Sequence, residues 1–165
     1  MAERTIQENL SYNELLQHVQ GLFSDENHPL ANMSNLASLL YWSVPQINWA
    51  GFYLRQHEEL ILGPFHGKPA CVRIAMGNGV CGTAAAKRET IIVDDVTKFD
   101  GHITCDADSR SEIVVPMMIG GRVIGVLDVD SPTVNRFTQE ERNFFQQCVG
   151  YLIDASAGWE QYCRW

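Results

Sequence analysis

The sequence has few basic residues and no run of them. Its 165 residues include 12 Lys and Arg against 20 Asp and Glu, which gives a formal net charge of −8. Because nucleic-acid-binding domains carry a basic patch or stripe, we expect no nucleic-acid partner. The sequence also lacks an apolar signal core at its start, and no apolar run approaches the ~20 residues of a membrane span. We therefore expect a cytoplasmic protein without membrane contact, forming one domain over residues 1–165.

The sequence contains no Cys-x2-Cys pair. Its five cysteines are an odd number in a chain without a secretory signal, which argues against a structural disulfide framework. Nine residues separate Cys71 from Cys81, and 23 separate Cys81 from Cys105, a spacing unlike that of zinc sites. The pattern predicts no metal site, and a disulfide in this chain is expected to be transient.

Cys71, Cys81 and Cys105 have Gly-rich or polar neighbours that are typical of loops, so we expect their thiols to be reachable. Cys81 is predicted in the first turn of a short helix, where the helix dipole favours a thiolate. Cys148 instead fits an apolar helical face and is predicted to be core. Redox chemistry, with one thiol attacking and another resolving, fits the three loop cysteines, but their spacing does not order them.

The sequence predicts helices at both ends and strands between them. The capping boxes Ser11-x-x-Glu14 and Thr138-x-x-Glu141 begin the first and last helices, and Gly158 is a plausible stop. Between them we predict a helix capped by Asn32 or Ser34 that ends before Pro45, and a short helix at 80–87. Short segments bounded by Gly, Pro or charged residues predict strands at 47–55, 60–62, 71–76, 90–93, 112–119 and 122–130.

Side chains two apart in a strand share a face, which groups the aromatic and acidic residues of two strands. Trp49 and Tyr53 share one face, a pattern found more often in a core than in a binding site. On the strand 122–130, an apolar stripe turns acidic at one end; it comprises Ile124, Val126, Asp128 and Asp130. Two carboxylates at this spacing can raise the pKa of one of them or jointly hold a cation. The alternative is that they form a strand end exposed to solvent.

Glu112 begins the strand predicted at 112–119, and Asp94 follows the end of the strand predicted at 90–93; sites often gather at strand ends. A regular hairpin around Gly120-Gly121 would turn Glu112 away from Asp128. Pro116 lacks an N–H, which favours a bulge, and we predict that this irregularity brings Glu112 to the acidic face.

The stretch Gly77-x-Gly79-x-x-Gly82 matches a dinucleotide-binding fingerprint as a pattern. The helix that follows is only about two turns long, and the Gly120-Gly121 hairpin does not supply the parallel crossovers that a dinucleotide fold needs. We therefore predict no dinucleotide-binding site at these glycines.

Six segments of the sequence together form a recognisable pattern; they are Ile47-Asn-Trp-Ala-Gly-Phe-Tyr, Leu62-Gly-Pro-Phe-His-Gly-Lys-Pro-Ala-Cys-Val-Arg-Ile, Gly79-Val-Cys-Gly-Thr-Ala, Phe99-Asp-Gly-His-Ile-Thr-Cys-Asp, Ser111-Glu-Ile-Val-Val-Pro and Gly125-Val-Leu-Asp-Val-Asp-Ser. Through these segments, the sequence resembles the free methionine-(R)-sulfoxide reductase family of GAF-domain enzymes over residues 11–155. The resemblance implies an α+β fold in which the terminal helices pack on one face of a six-stranded antiparallel sheet. Short helices and loops enclose a pocket on the other face, and the tail 158–165 falls outside the resemblance.

The resemblance also implies roles for the three loop cysteines. Cys105 attacks the sulfoxide sulfur, Cys71 resolves the resulting sulfenic acid, and Cys81 is an auxiliary or alternative resolving thiol. No bound cofactor is implied, because an external thioredoxin-type dithiol resets the enzyme. By analogy with other GAF domains, we expect a homodimer through the terminal helices.

Acidic and aromatic side chains complete the implied pocket. Four carboxylates hold the substrate ammonium and polarise the sulfoxide oxygen; they are Asp94, Glu112, Asp128 and Asp130. Trp49 and Tyr53 pack the methylthio end of the substrate. The alternative is a non-catalytic GAF sensor that binds a small ligand or reads redox state through the same cysteines.

Overall fold

An antiparallel sheet of six strands forms the centre of the part of the chain that the structure, a computed structural model, describes, namely residues 10–101 and 108–164. The strands follow the order β3-β2-β1-β6-β5-β4 across the sheet. Their bounds are β1 Trp49–Gln56, β2 Glu59–His66, β3 Arg73–Ala75, β4 Ile91–Val93, β5 Ser111–Ile119 and β6 Arg122–Ser131. The predicted α+β fold is confirmed, although β2 is longer than the predicted strand at 60–62.

Helices cover the two faces of the sheet unequally. Their bounds are α1 Tyr12–Leu22, α2 Pro29–Ser43, α3 Gly79–Lys87 and α4 Gln139–Ala155. Helices α1, α2 and α4 pack against one face and form the larger apolar cluster, in which Phe52, Phe144 and Phe145 are almost fully buried. Helix α3 packs on the opposite face in a smaller cluster. Within the described residues, no helix combines the length and the apolar character that a membrane span requires.

Both predicted capping boxes are present. The Ser11 and Thr138 hydroxyls accept from backbone N–H groups of the first turn, while Glu14 and Glu141 accept from the N–H of the capping residue at 2.8 Å in each case. These motifs satisfy N–H groups that a helix start leaves without partners.

The predicted start of α2 was wrong, because Asn32 makes a tertiary contact and the Ser34 hydroxyl donates to Leu30 O within the helix. Helix α2 begins at Pro29, whose fixed φ suits a first helical position. Asn32 and Ser34 both lie inside the helix. Asn32 is buried, and its Nδ2 donates to Ser156 Oγ at 3.0 Å, which ties α2 to the end of α4. Helix α4 in turn ends before Gly158, the predicted stop.

The C-terminal segment packs on the domain instead of trailing from it. Trp159 and Cys163 are buried in the larger cluster, at 5 and 2 % exposure. Arg164 N donates to Arg55 O at 2.9 Å, and Arg164 O accepts from His57 N at 2.8 Å. The C-terminal segment is therefore hydrogen-bonded to the β1–β2 hairpin, although the family resemblance does not include this segment.

Glu141 connects three parts of the helical face. Besides capping α4, its Oε1 accepts from Tyr12 Oη at 2.7 Å and from Arg136 Nη1 at 2.8 Å. The Arg136 and Glu141 side chains are both only 9 % exposed. Burial opposes ionisation of Glu141, but the hydrogen bonds from Thr138, Tyr12 and Arg136 together lower its pKa to about 2.

Glu141→Gln should destabilise the protein by about 3 kcal/mol at pH 7, because it leaves a buried Arg136 without its charge partner. A pKa lowered by folding stabilises the native state above the unfolded-state value and loses that effect as pH falls toward 2. The difference between wild type and variant should therefore shrink between pH 5 and pH 2 in urea unfolding. Glu140→Gln, on the exposed side of the same turn, is the control. A similar loss in both variants would contradict the assigned role.

Candidate functional site

The β5–β6 hairpin contains the irregularity that the sequence predicts. Its turn residues Gly120-Gly121 both have positive φ, at 55° and 77°, as a tight two-residue turn demands. The strand register shifts between Met117 and Met118, and Ile124 of β6 is the extra residue. The predicted bulge is confirmed, and it lies close to Pro116, although the extra residue belongs to the partner strand.

The bulge decides which side chains share a face. Past the bulge, Glu112 of β5 lies directly opposite Asp130 of β6. Asp128 lies two residues before Asp130 on β6 and therefore on the same face. Val126 packs with α3 on this face, as predicted. Ile124 does not, because the extra residue reverses the alternation and sends Ile124 into the helical face. The predicted common face therefore holds for the two aspartates and Val126 but was wrong for Ile124.

Cys81, Glu112 and Asp128 form a buried group beneath α3. One ligand atom from each lies within 4.8 Å of the other two. Cys81 Sγ is 3.9 Å from Glu112 Oε1, and the three residues are only 4, 6 and 7 % exposed. Asp128 Oδ1 is buried without a hydrogen-bond partner among the described residues. Such an arrangement concentrates acidic groups where water is largely excluded.

Burial disfavours the charged form of all three groups. It is the largest cause that raises the pKa of Cys81 and of Glu112 well above their ordinary values, and the negative charge of Asp128 adds to both shifts. Burial also raises the pKa of Asp128 to about 7, against hydrogen bonds from Cys81 and Glu112 that lower it. The site therefore holds protons near neutral pH that ordinary carboxyls would have lost.

The prediction that Cys81 is reachable and prone to form a thiolate was wrong. Cys81 lies near the start of α3, as predicted, but its thiol points into the buried group. The dipole of this nine-residue helix favours the Cys81 thiolate. Loss of solvation and the adjacent carboxyl groups disfavour the thiolate more strongly, so the thiol stays neutral.

Glycines of the fingerprint-like stretch serve the packing of α3. A Cβ on Gly82 would lie 2.3 Å from Ala75 O, so only glycine allows the helix this close to β3. Gly77 and Gly79 have positive φ, at 86° and 60°. Among the described residues, all strand pairs of the sheet are antiparallel. The glycines of the dinucleotide-like pattern are explained by the packing of α3.

Trp49 and Tyr53 share a face, as predicted, and both are nearly fully buried. Their ring centroids are 6.0 Å apart, and the Trp49 ring also stacks on Phe65 at 5.3 Å. Their polar atoms reach one loop. Trp49 Nε1 donates to Lys68 O, and Tyr53 Oη donates to Cys71 O, both at 3.0 Å. The two aromatic side chains therefore hold the backbone of the loop that carries Cys71.

Sequence reasoning missed the glycines that accommodate Trp49. A Cβ on Gly51 would lie 2.5 Å from Trp49 Cη2 and 2.3 Å from Phe65 Cβ. A Cβ on Gly67, where φ is 132°, would lie 2.5 Å from Trp49 Cδ1. Gly51 lies between Trp49 and Tyr53 on the same face, and this period of two was the available signal.

The remaining predicted site residues have different positions. Cys71 is half-buried and disulfide-bonded, whereas Cys81 is free. Cys105, the predicted nucleophile, lies outside the described residues. Asp130 is half-buried beside Glu112. Asp94 is exposed after β4, where it lines a separate surface groove, so the structure does not bring it into the buried acidic group.

Comparison with known proteins matches residues 24–153 to the GAF domain family, which agrees with the sheet and helices described above. The chain is 48 % identical over 141 residues to free methionine-R-sulfoxide reductase of Escherichia coli, covering 86 % of each chain. The reduced form of the corresponding Staphylococcus aureus protein is 46 % identical, with a TM-score of 0.86 and coverage of 90 % of this chain and 96 % of that one.

The free methionine-R-sulfoxide reductase of Neisseria meningitidis, solved in complex with its substrate, is 38 % identical. The match covers 93 % of this chain and 95 % of that one, with a TM-score of 0.86. The fold and these matches define a GAF-domain oxidoreductase. The chain belongs to the free methionine-R-sulfoxide reductase family.

Glu112→Gln should make the protein more stable at pH 8, by about 2 kcal/mol, because the amide avoids the cost of a buried charge. For a carboxyl whose pKa is raised by folding, stability is complete below the unfolded-state value and is lost as pH rises through the folded one. Urea unfolding should therefore show little difference between wild type and variant at pH 4. The exposed Glu89→Gln is the control. A Glu112→Gln variant that is less stable at pH 8 would mean that the ionised form is stabilised.

Proposed function

We propose that this protein reduces free L-methionine-(R)-sulfoxide to L-methionine, using electrons from a thioredoxin-type dithiol. The observation that carries the proposal is the buried acidic group beside the loop of Cys71, on the fold of a family whose Neisseria meningitidis member was solved with its substrate. Family membership supports the reaction, and the acidic group supports the choice of a free amino acid.

The acidic group suits the ammonium of a free amino acid. Glu112 and Asp128 are buried, and among the described residues neither forms an ion pair with Lys or Arg. An ammonium placed against Asp128 would offset the cost of burying its charge, because attraction is strong where water is excluded. A methionine sulfoxide within a peptide has no such ammonium, so the site would select the free amino acid.

In the proposed reaction, the Cys105 thiolate attacks the sulfoxide sulfur and forms an S–S bond, while a carboxyl proton passes to the sulfoxide oxygen. The hydroxyl then transfers to the Cys105 sulfur as its bond to the substrate sulfur and the new S–S bond both break, so that methionine leaves and Cys105 becomes a sulfenic acid. The Cys71 thiol then attacks the Cys105 sulfur, releasing water and forming a disulfide. An external dithiol reduces that disulfide and is itself oxidised. The ability of Cys71 to be disulfide-bonded supports its assignment as resolving thiol.

The raised pKa values of Glu112 and Asp128 support general acid catalysis. A carboxyl that keeps its proton near neutral pH is a suitable donor to a sulfoxide oxygen. Glu112 and its strand neighbour Asp130 are the proposed acid and its orienting partner. Cys81 is proposed to act as a neutral hydrogen-bond donor to the carboxylates, since its burial disfavours the thiolate that an alternative resolving thiol would need.

The reaction is tested with purified protein, a dithiol donor and separated epimers. Free methionine-R-sulfoxide should be converted to methionine, whereas the S epimer and a peptide-bound sulfoxide should not. Cys105→Ser should abolish turnover. Cys71→Ser should release one methionine per enzyme and then stop, because the sulfenic acid is not resolved.

Cys148→Ser serves as the matched cysteine control, since Cys148 lies in α4 within the opposite core and should leave turnover near wild type. Full activity in Cys105→Ser would overturn the assigned nucleophile. Tight binding of methionine sulfoxide with no turnover by any dithiol would favour the sensor alternative.

Tyr53→Phe should slow the disulfide step about fivefold, because it removes a hydrogen bond worth ~1 kcal/mol to the Cys71 backbone. The ring remains, so the rate of the first methionine release should change less. Rapid quenching with separate measurement of methionine and remaining thiols distinguishes these steps. Tyr151→Phe, in α4 on the other side of the sheet, is the control. Equal slowing of both steps would show that the phenol acts on substrate instead.

A further inference from the structure

The three acidic groups beneath α3 have the composition of a three-ligand metal site. We propose that the reduced protein binds a thiophilic divalent cation of the zinc class through Cys81 Sγ and one carboxylate oxygen each from Glu112 and Asp128, and that the cation excludes the substrate. The inhibition rests on the function proposed above, whereas the binding does not. Three protein ligands with a fourth open position are the usual composition of an accessible zinc site.

The distances suit such a cation. Zinc lies about 2.0–2.3 Å from nitrogen, oxygen and sulfur ligands, which places tetrahedral ligand atoms roughly 3.3–3.8 Å apart. Cys81 Sγ and Glu112 Oε1 are 3.9 Å apart, and all three candidate atoms lie within 4.8 Å of one another. The longest of these separations exceeds the tetrahedral range by at most about 1 Å, a difference that side-chain rotation can close. The ligands come from α3, β5 and β6, three elements whose backbones the sheet and helix packing already fix.

A second observation points to a ligand at this place. Asp128 is only 7 % exposed, and its Oδ1 has no hydrogen-bond partner among the described residues. A buried carboxylate oxygen without a partner costs free energy that a cation would recover. No described Lys or Arg forms an ion pair with Glu112 or Asp128, so residues 10–101 and 108–164 do not supply that cation.

A metal ion binds the thiolate of Cys81 and the carboxylates of Glu112 and Asp128, so protons compete with the cation for these ligands. The other described titratable groups that act on this site are Asp130 of β6 and Tyr53 of β1. Asp130 is a further acid and Tyr53 is a phenol, so neither supplies a positive charge in place of the cation.

The site would be shared with the substrate. The proposed cation position uses Asp128, which is also proposed to bind the ammonium, and Glu112, which is also the proposed acid, so the cation and the substrate exclude each other. The cation differs in also using Cys81, a soft ligand that an ammonium does not need. This difference separates the two ligands experimentally.

The test uses reduced protein, freed of metal with a chelator, and Co2+ or Zn2+ alone. One equivalent of Co2+ should produce the near-ultraviolet thiolate-to-cobalt absorption band, and Zn2+ should displace it. Cys81→Ser should lose the band, and Asp128→Asn should weaken binding in calorimetry while remaining folded. Cys105→Ser and Cys71→Ser are matched controls that should keep the band, because the proposed ligands remain.

Loss of the band in Cys105→Ser, or its persistence in Cys81→Ser, would assign the metal to other thiols and overturn the proposal. Absence of any band or heat with the wild-type protein would also overturn it. Zinc should inhibit reduction competitively with free methionine-R-sulfoxide, and inhibition that substrate does not relieve would overturn the shared position. Because cobalt absorption is measured without turnover, failure of the metal site and failure of the reductase function are distinct results.

Discussion

The register between β5 and β6 is the constraint on which the core and the candidate site both depend. Side chains alternate across a strand, so a slip of one residue would send Glu112 into the helical core and bring its neighbour Ile113 toward α3. The bulge at Ile124 sets the register that avoids this. Gly125, next to the bulge, allows β1 to approach, since a Cβ there would lie 2.4 Å from Tyr53 O.

The same register produces an unequal division of stability between the two faces. The helical face buries a large apolar cluster, while the α3 face buries carboxyl groups and a thiol. Burying apolar area stabilises the fold, whereas burying acids destabilises it at pH values above their ordinary pKa, because the charged form loses its solvation. A protein can retain such a face only if apolar burial on the other face outweighs the cost of the buried acids. The exclusion of water that makes the buried charges costly also strengthens their attraction for a cationic group.

Local patterns in the sequence predicted those parts of the structure that local interactions determine. The two capping boxes, the Gly120-Gly121 hairpin and the bulge near Pro116 depend on residues close in the chain, and all are present. The start of α2 and the state of Cys81 depend instead on distant partners. Asn32 resembles a cap, but it binds the end of α4, and Cys81 resembles a helix-start thiolate, but β5 and β6 surround it with carboxyls.

The candidate site shows the same limit on prediction. Cysteine spacing argues against zinc when only cysteines are considered, and this reasoning is sound for fingers and ribbons. The group beneath α3 contains one cysteine and two carboxylates from three elements, so no spacing in the sequence reveals it. The family resemblance named Glu112 and Asp128, which the structure brings together, and also Asp94, which the structure places on the surface.

The polar atoms of Trp49 and Tyr53 explain why aromatic residues with a donor occupy these positions. Leucine or phenylalanine would provide an apolar surface, but neither could bind the carbonyls of Lys68 and Cys71. The two rings lie on the sheet, which is rigid, whereas the loop has no strand partners of its own over 67–71. Anchoring the loop at both ends to the sheet fixes the backbone of Cys71 relative to Glu112 and Asp128. The position of the loop that carries Cys71 is therefore determined by β1, and the positions of the acids by β5 and β6, within one continuous sheet.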